Sequence, residues 1–378
     1  MTSLFGLEPG VLPEETRRLR QEVRDFLAAE LAEGGYTPVS DSWVIGADPA
    51  FSRKLGARGW LGMAIPKEYG GGDRTPLERF VVIEELLAAG APVSAHWMGD
   101  RQIGPALLSH GTEEQRKRFL PGIVTGECRF AVGLSEPDSG SDLASARTKA
   151  TRADGGWLID GTKIWTSGAH IAHAIVALVR TGPAGESRHE GLSQMIVTLP
   201  TDGVEIRPIR SLSGDHHFNE VVFTSAFVPD SMVLGTIGNG WAQVTSELAY
   251  ERSGPERMLS TALLLRVLAA REDADPRTIG RLTARLWALR QASIAIAVQL
   301  SKGSAPDVAA ATVKDLGTLF EREVIEAARS TGVEPDLTST DLFTRLLAEA
   351  VVQAPTNTLR GGTNEILRGV IARALGVR

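Results

Sequence analysis

Ser135 to Asp142 reads SEPDSGSD, and Lys163 to Gly168 reads KIWTSG. Small hydroxyl side chains and glycine let backbone N–H groups and hydroxyls approach phosphate oxygens, and an indole offers a flat apolar wall. Neither stretch pairs a nucleophile with its base. The chemistry they suit is the holding of a planar, phosphate-bearing cofactor. Read singly, SEPDSGSD is also a polar turn and Trp165 a core residue of a strand.

Three kinds of element must position these stretches. From Glu14 to Leu31, the apolar residues Leu19, Val23, Phe26, Leu27 and Leu31 recur at helical spacing, with Pro13 before and Gly34 after. Thr75 with Glu78 and Thr112 with Gln115 fit capping boxes, so helices are expected to begin near Pro76 and Glu113, the second ending at Pro121. Residues 1–128 therefore read as an N-terminal helical domain. Between residues 129 and 236 the runs WLID, AIVALV, QMIVTL, VEI and EVVF read as strands. They are divided by Asp154-Gly155, Asp160-Gly161, Gly182-Pro183 and Thr201-Asp202-Gly203, which reads as a middle β domain. Residues 237–378 return to helix formers, with long helices expected over 257–271, 277–301 and 306–330. The fold class is α+β, a layout in which cofactor clefts fall at domain junctions.

Composition narrows the function. The chain has 378 residues, 43% of them hydrophobic, enough for a large core. Forty Lys+Arg against 46 Asp+Glu give a net charge of −6, which argues against a general nucleic-acid binder. Cys128 is the only cysteine, so no intrachain disulfide forms, a reducing cytoplasm fits, and the thiol is expected in the core. No run approaches the about 20 apolar residues of a membrane span, and the start of the chain lacks a signal-peptide core. The histidines lack structural-zinc spacing, so no metal site is expected, and no Ser-His-Asp arrangement or Walker-type loop stands out. Arg116-Lys117-Arg118 reads as a solvated helix face rather than a phosphate site.

The motifs and the layout together resemble the acyl-CoA dehydrogenase family of flavoproteins, in a divergent, actinobacterial-type form. The resemblance covers nearly the whole chain: Trp60-Leu61-Gly62, PKEYGGG at 66–72, Gly111-Thr112 with Glu114-Gln115, FLPGIVTGE at 119–127, the two opening stretches, NEVVF at 219–223 and GGTNEI at 361–366. It implies an N-terminal helical domain, a middle β domain and a C-terminal four-helix bundle, with FAD at their junction and across a subunit interface. By position, it implies that Val132, Leu134, Ser135, Gly140 and Ser141 line the flavin and pyrophosphate, Ser141 also lying near the CoA moiety. Trp165, Thr166 and Ser167 are implied at the flavin ring, Thr363 and Glu365 at the cofactor from the C-terminal loop, and Tyr250, Arg252 and Gly362 at the substrate.

The reaction implied removes a Cα proton from an acyl-CoA thioester and a Cβ hydride, leaving a 2-enoyl-CoA. Many family members carry the base, a glutamate, immediately before a Gly-Thr pair in the C-terminal loop, and here that position is Gly361. Others place it on a helix of the C-terminal domain, which here matches Ala249-Tyr250-Glu251-Arg252 and makes Glu251 the candidate base. The bland alternative for Glu251 is an exposed helical face shared with Glu247, Arg252, Glu256 and Arg257.

Two family segments that reach the neighbouring subunit's FAD are missing, since Arg271 to Arg281 reads REDADPRTIGR and Arg329 to Val333 reads RSTGV. Either a homodimer or homotetramer holds FAD by other contacts, or a homologous partner completes the site in a hetero-oligomer. Relatives of this divergent pattern include mixed assemblies that act on bulky acyl-CoAs such as steroid side-chain thioesters. The implied electron acceptor is an electron-transfer flavoprotein. An acyl-CoA oxidase, a flavin monooxygenase and a non-catalytic partner subunit are the competing readings.

Overall fold

The computed structural model describes residues 7, 10–183, 185–304 and 306–377, the side chains of 247–253 excepted. The first group of helices is α1 (Glu14–Ala32), α2 (Ser42–Ile45), α3 (Pro49–Ala57), α4 (Pro76–Ala88), α5 (Ser94–Met98), α6 (Gly104–His110) and α7 (Glu113–Thr125). Strands follow: β1 (Phe130–Gly133), β2 (Lys149–Ala153), β3 (Gly156–Ser167), β4 (Ala174–Arg180), β5 (Leu192–Thr198), β6 (Val204–Ile209), β7 (Phe218–Pro229) and β8 (Val233–Leu234). The helices then resume with α8 (Gly240–Ser253), α9 (Ala262–Ala269), α10 (Pro276–Ser301), α11 (Asp307–Arg329), α12 (Leu342–Asn357) and α13 (Asn364–Ala374). The expected α+β order of helices, sheet and helices is present.

By its contacts the chain forms two compact units, one from Met1–Ala47, Arg74–Val93 and Leu248–Arg378, the other from Asp48–Asp73 and Ser94–Glu247.

In the sheet-bearing unit the strand order is β6-β7-β3-β2-β4-β5-β8, with β1 pairing β4 in parallel. AIVALV and the core of QMIVTL are buried on both faces, as a central strand pair requires. Asp154-Gly155 makes the expected turn, Gly155 with φ 67°, between β2 and β3. Asp160-Gly161 does not: it lies inside β3, where Gly161 (φ 146°) forms a bulge against Thr148, whose Oγ1 would sit 2.6 Å from an added Cβ. Pro121 does not end α7 either. The helix runs to Thr125, because Phe119, Leu120, Ile123 and Val124 belong to the core that includes β1, and left-handed Gly126 stops it. Both capping boxes, at Thr75 and Thr112, are made. Arg116 is not simply solvated: it donates to the carbonyls of Leu107 (3.1 Å) and Leu108 (2.8 Å) at the end of α6. Cys128 is half-buried beside the core, and burial pushes its thiol up to about 11, which disqualifies it as a nucleophile.

In the helical unit, α1 buries Val23, Phe26 and Leu27, while Leu31 at its last turn is 47% exposed. Glu84 of α4 binds Arg20 of α1 (2.8 Å) and Arg290 of α10 (2.9 Å), joining three helices. The helix expected over 257–271 is shorter, since Gly254-Pro255 opens a single tight turn and α9 starts only at Ala262.

Candidate active site

β1 runs directly into SEPDSGSD. The stretch closes on itself, Glu136 N–H donating to Ser139 O at 2.8 Å and Ser139 N–H returning to Glu136 O at 3.0 Å, with Pro137-Asp138 at the tip. Gly140 and Ser141 follow in the open, and a Cβ added at Gly140 would meet nothing within 4 Å. Asp142 accepts from Ser145 Oγ at 2.5 Å and pairs with Arg188. Val132, Leu134 and Ser135 are half-buried along the approach to this turn.

KIWTSG is fastened to that turn from below. Lys163, fully buried, donates to Glu136 Oε1 (2.7 Å) and to Leu134 O (3.0 Å), and Ile164 N–H donates to Ser135 O at 2.9 Å. Glu136 also accepts from the backbone N–H groups of Arg147 (2.7 Å) and Thr148 (2.8 Å). Burial pushes Lys163 down to about 8, only partly offset by the Glu136 charge. Gly133 leaves room for the lysine stem, whose Cγ would lie 3.2 Å from an added Cβ.

Beyond Lys163 the β3–β7 register slips. Lys163 pairs with Val221 and Thr166 with Asn219, so Ile164 and Trp165 oppose Glu220 alone. Trp165 takes φ 59°, a left-handed conformation rare for a bulky residue, and its indole is 55% exposed, edge-on to Phe218 at 5.8 Å. Thr166 is buried with its Oγ1 lacking a hydrogen-bond partner among the described residues, and Ser167 is half-buried. The eight residues expected at a cofactor in this unit thus lie along two stretches that the lysine joins.

The second group belongs to the helical unit. Tyr250, Glu251 and Arg252 sit on the backbone of α8, and their side chains lie outside the described residues. Glu256 and Arg257 do not extend a solvated face: each is 1% exposed, because Gly254-Pro255 breaks the helical phase. Gly361 (φ 68°) and Gly362 (φ 83°) form a left-handed pair, and Thr363 caps α13, accepting from Ile366 N–H at 3.3 Å. Glu365 is exposed, its carboxyl held below the ordinary range by its own backbone N–H and then by the Thr363 hydroxyl. Lys314 latches the loop from within, donating to Gly362 O and Asn364 Oδ1, both at 2.8 Å. A Cβ at Gly361 would lie 2.6 Å from Arg257 Nη2 and 2.8 Å from its Nη1, so a guanidinium takes the room of a side chain at 361. Arg257 and Arg360 both stand over the Trp43 ring, at 5.1 and 4.3 Å.

Comparison with known proteins gives these sites a family. Residues 13–127 match the acyl-CoA dehydrogenase N-terminal domain and residues 131–226 the acyl-CoA dehydrogenase middle domain. The acyl-CoA dehydrogenase IpdE1 of Mycobacterium tuberculosis is 33% identical, over 96% of this chain and 98% of its own length. The chain belongs to the acyl-CoA dehydrogenase family. A second relative from that organism, acyl-CoA dehydrogenase FadE34, is 36% identical over 93% of this chain, which spans only 50% of FadE34. The solved structure of the Tcur3481-Tcur3483 steroid ACAD superposes with a TM-score of 0.83 at 31% identity, covering 97% of each chain. The family makes this chain an oxidoreductase of acyl-CoA metabolism, and its members bind FAD.

The residues present fit that cofactor. An exposed indole is presented by a bulge, the Gly140 backbone is open, and the Ser135, Ser141 and Thr166 hydroxyls supply neutral donors. In the sequence Lys163, Glu136 and Asn219 stand out only as letters of motifs, and Arg257 enters only in the alternative of an exposed helical face. The available signal for the pair was that Lys163 is the sole cation of the two stretches, set against the acids Glu136, Asp138 and Asp142.

Proposed function

We propose that this chain dehydrogenates an acyl-CoA thioester between Cα and Cβ, with Glu251 abstracting the Cα proton. The observation that carries the reading is the fastening of SEPDSGSD to KIWTSG by Lys163, which makes one surface of two cofactor-suited stretches. Val132, Leu134, Ser135, Gly140, Ser141, Trp165, Thr166 and Ser167 would hold FAD, with Thr363 and Glu365 contributing from the C-terminal loop. When bound, FAD supplies the acceptor for the Cβ hydride.

The chain's own part is acid–base and positional. An α-proton of a thioester is too weakly acidic for a carboxylate in water, so the site must orient the thioester and stabilise charge on its oxygen. Desolvation by the acyl chain would raise the Glu251 pKa toward the working pH, making it a competent base. Ser141, Tyr250, Arg252 and Gly362 would contact the substrate. The occupation of the space at position 361 by Arg257 supports a base elsewhere. The steroid ACAD among the structural relatives supports a bulky acyl group, and the electron acceptor we propose is an electron-transfer flavoprotein.

A second reading makes the chain an FAD-sharing subunit of a hetero-oligomer. Ahead of α10 lie Glu272, Asp273 and Asp275, and Arg271 is spent on Asp273 through two contacts of 2.8 and 2.6 Å, which leaves an acidic segment where the family resemblance implies one that reaches a partner's FAD. The ChsE4-ChsE5 complex of Mycobacterium tuberculosis, 26% identical with a TM-score of 0.80, supports it.

One experiment tests both. The chain, purified alone, is titrated anaerobically with a panel of acyl-CoA thioesters while flavin absorbance is followed. Bleaching by one of them is expected, with Glu251→Gln retaining colour and resisting bleaching. Reduction of Glu251→Gln at the wild-type rate would remove Glu251 as the base, and a colourless protein that gains FAD only with a homologous partner would establish the second reading.

A further inference from the structure

The bulge that turns Trp165 outward is not self-supporting. It interrupts the β3–β7 ladder by setting Ile164 and Trp165 against one residue, and it holds a tryptophan at φ 59°. A slip of one residue would restore regular pairing and exchange the faces of Trp165 and Thr166. Asn219 stands opposite Thr166, fully buried, in the position to prevent that slip. Its Nδ2 donates to Thr166 O at 2.9 Å and to His217 O at 3.3 Å, and its Oδ1 lies 2.7 Å from His216 Nε2. The orientation of the amide follows from chemistry, since carbonyls only accept; His216 Nε2 is then the donor to Oδ1. The His216 ring is fixed in turn by stacking on His170 at 4.0 Å, and His217 O also accepts Gly168 N–H at 2.9 Å, so KIWTSG is tied at its far end too.

We propose that Asn219 is a positioning residue that locks the bulge and thereby presents the Trp165 indole to its ligand. Only an amide serves here. Aspartate would set acceptors against two carbonyls, and leucine, of similar shape, would leave the buried Thr166 carbonyl without this donor. That the ligand is a flavin rests on the proposed function; that Asn219 holds Trp165 does not.

The test uses the full chain. Acrylamide quenching of Trp165 alone is read as the difference between each protein and its Trp165→Phe counterpart, and FAD binding is titrated by flavin fluorescence. Asn219→Leu is expected to change the Trp165 quenching constant by about twofold and to weaken FAD binding by about tenfold, and that second effect should vanish in a Trp165→Phe background. Wild-type quenching in Asn219→Leu, or additive effects of the two substitutions on FAD binding, would overturn the proposal. Should Asn219→Leu not fold, His216→Phe keeps a stacking ring but removes the donor to Oδ1; altered Trp165 quenching supports the proposal and unaltered quenching refutes it. If the wild-type chain takes up no FAD, the flavin reading fails by itself and the quenching comparison still decides the role of Asn219.

Discussion

Lys163 Nζ lies 2.7 Å from Glu136 Oε1, with neither side chain more than 7% exposed, and this pair spans the two stretches from which a cofactor site is read. The lysine comes from β3 and the glutamate from the turn that follows β1. Each charge has further partners: Leu134 O for the ammonium, and the Arg147 and Thr148 N–H groups for the carboxylate. Completing the hydrogen bonds in this way lets a buried ion pair persist, although such a pair adds little net stability over an apolar one.

Removing one partner is therefore expected to cost more than removing both. Lys163→Met leaves the Glu136 carboxylate buried without its countercharge and should destabilise the protein by on the order of 3 kcal/mol. The double variant Lys163→Met/Glu136→Gln should recover much of that loss. Urea unfolding of the two single variants and the double variant measures the difference; additive losses would show that the pair is not coupled.

The same pair predicts slopes of the same sign at the two ends of the pH scale, stability rising with pH in both windows. Burial alone would raise the Glu136 carboxyl, but the Lys163 charge and hydrogen bond and the backbone N–H donors outweigh it, and its pKa falls below the ordinary 4.5. The folded state then binds fewer protons than the unfolded state between those two values, so the contribution is complete above 4.5 and is lost as pH falls through the lower folded value. Lys163 is depressed from 10.5 to about 8, so the unfolded state holds the extra proton across that window and stability from this group rises with pH through it. Stability–pH curves should lose the acid fall in Glu136→Gln and the alkaline rise in Lys163→Met. Curves parallel to wild type would contradict this.

How much of this was legible depends on whether the signal is local. Thr75-Glu78 and Thr112-Gln115 make their capping boxes because the partners lie three residues apart, and AIVALV is a buried strand because its apolar run is contiguous. Pro121 misleads because the ring's local penalty is overruled by the burial of Phe119, Leu120, Ile123 and Val124 in the core, while Pro121 itself stays exposed. Asp160-Gly161 looks like a turn and is a bulge, since the requirement for glycine comes from Thr148, thirteen residues away. Arg257 could be offered only as part of an exposed face, because no local pattern announces that it is to face Gly361, more than a hundred residues on.

The C-terminal loop hangs on Lys314. Its ammonium, fully buried, holds Gly362 O and Asn364 Oδ1, and Thr318 shares Asn364. Lys314→Met keeps the stem's packing and removes these charge-assisted bonds, which should cost about 2 kcal/mol. Since Gly362 and Thr363 are proposed to touch substrate and cofactor, the Michaelis constant for the acyl-CoA should rise as well. Thermal unfolding and steady-state kinetics on one preparation check both; a drop in melting temperature with an unchanged Michaelis constant would leave the latch purely structural.

Position 361 gives the sharpest contrast between a loop that could carry a base and one that cannot. Gly361 at φ 68° already disfavours any side chain by about 1 kcal/mol, and an added Cβ would lie within 3 Å of the buried Arg257 guanidinium, which would have to shift to admit it. Gly361→Ala should therefore destabilise by more than the backbone strain alone, and Arg257→Ala should relieve part of the excess when the two are combined. Transplanting the carboxylate should fail for the same reason. Gly361→Glu in a Glu251→Gln background is expected to stay inactive, its new carboxylate drawn onto Arg257 and held ionised beside a fixed positive charge, where it is a weaker base. Anaerobic flavin reduction by the preferred acyl-CoA measures this directly, and activity restored by Gly361→Glu alone would show that the space at 361 is open to a base after all.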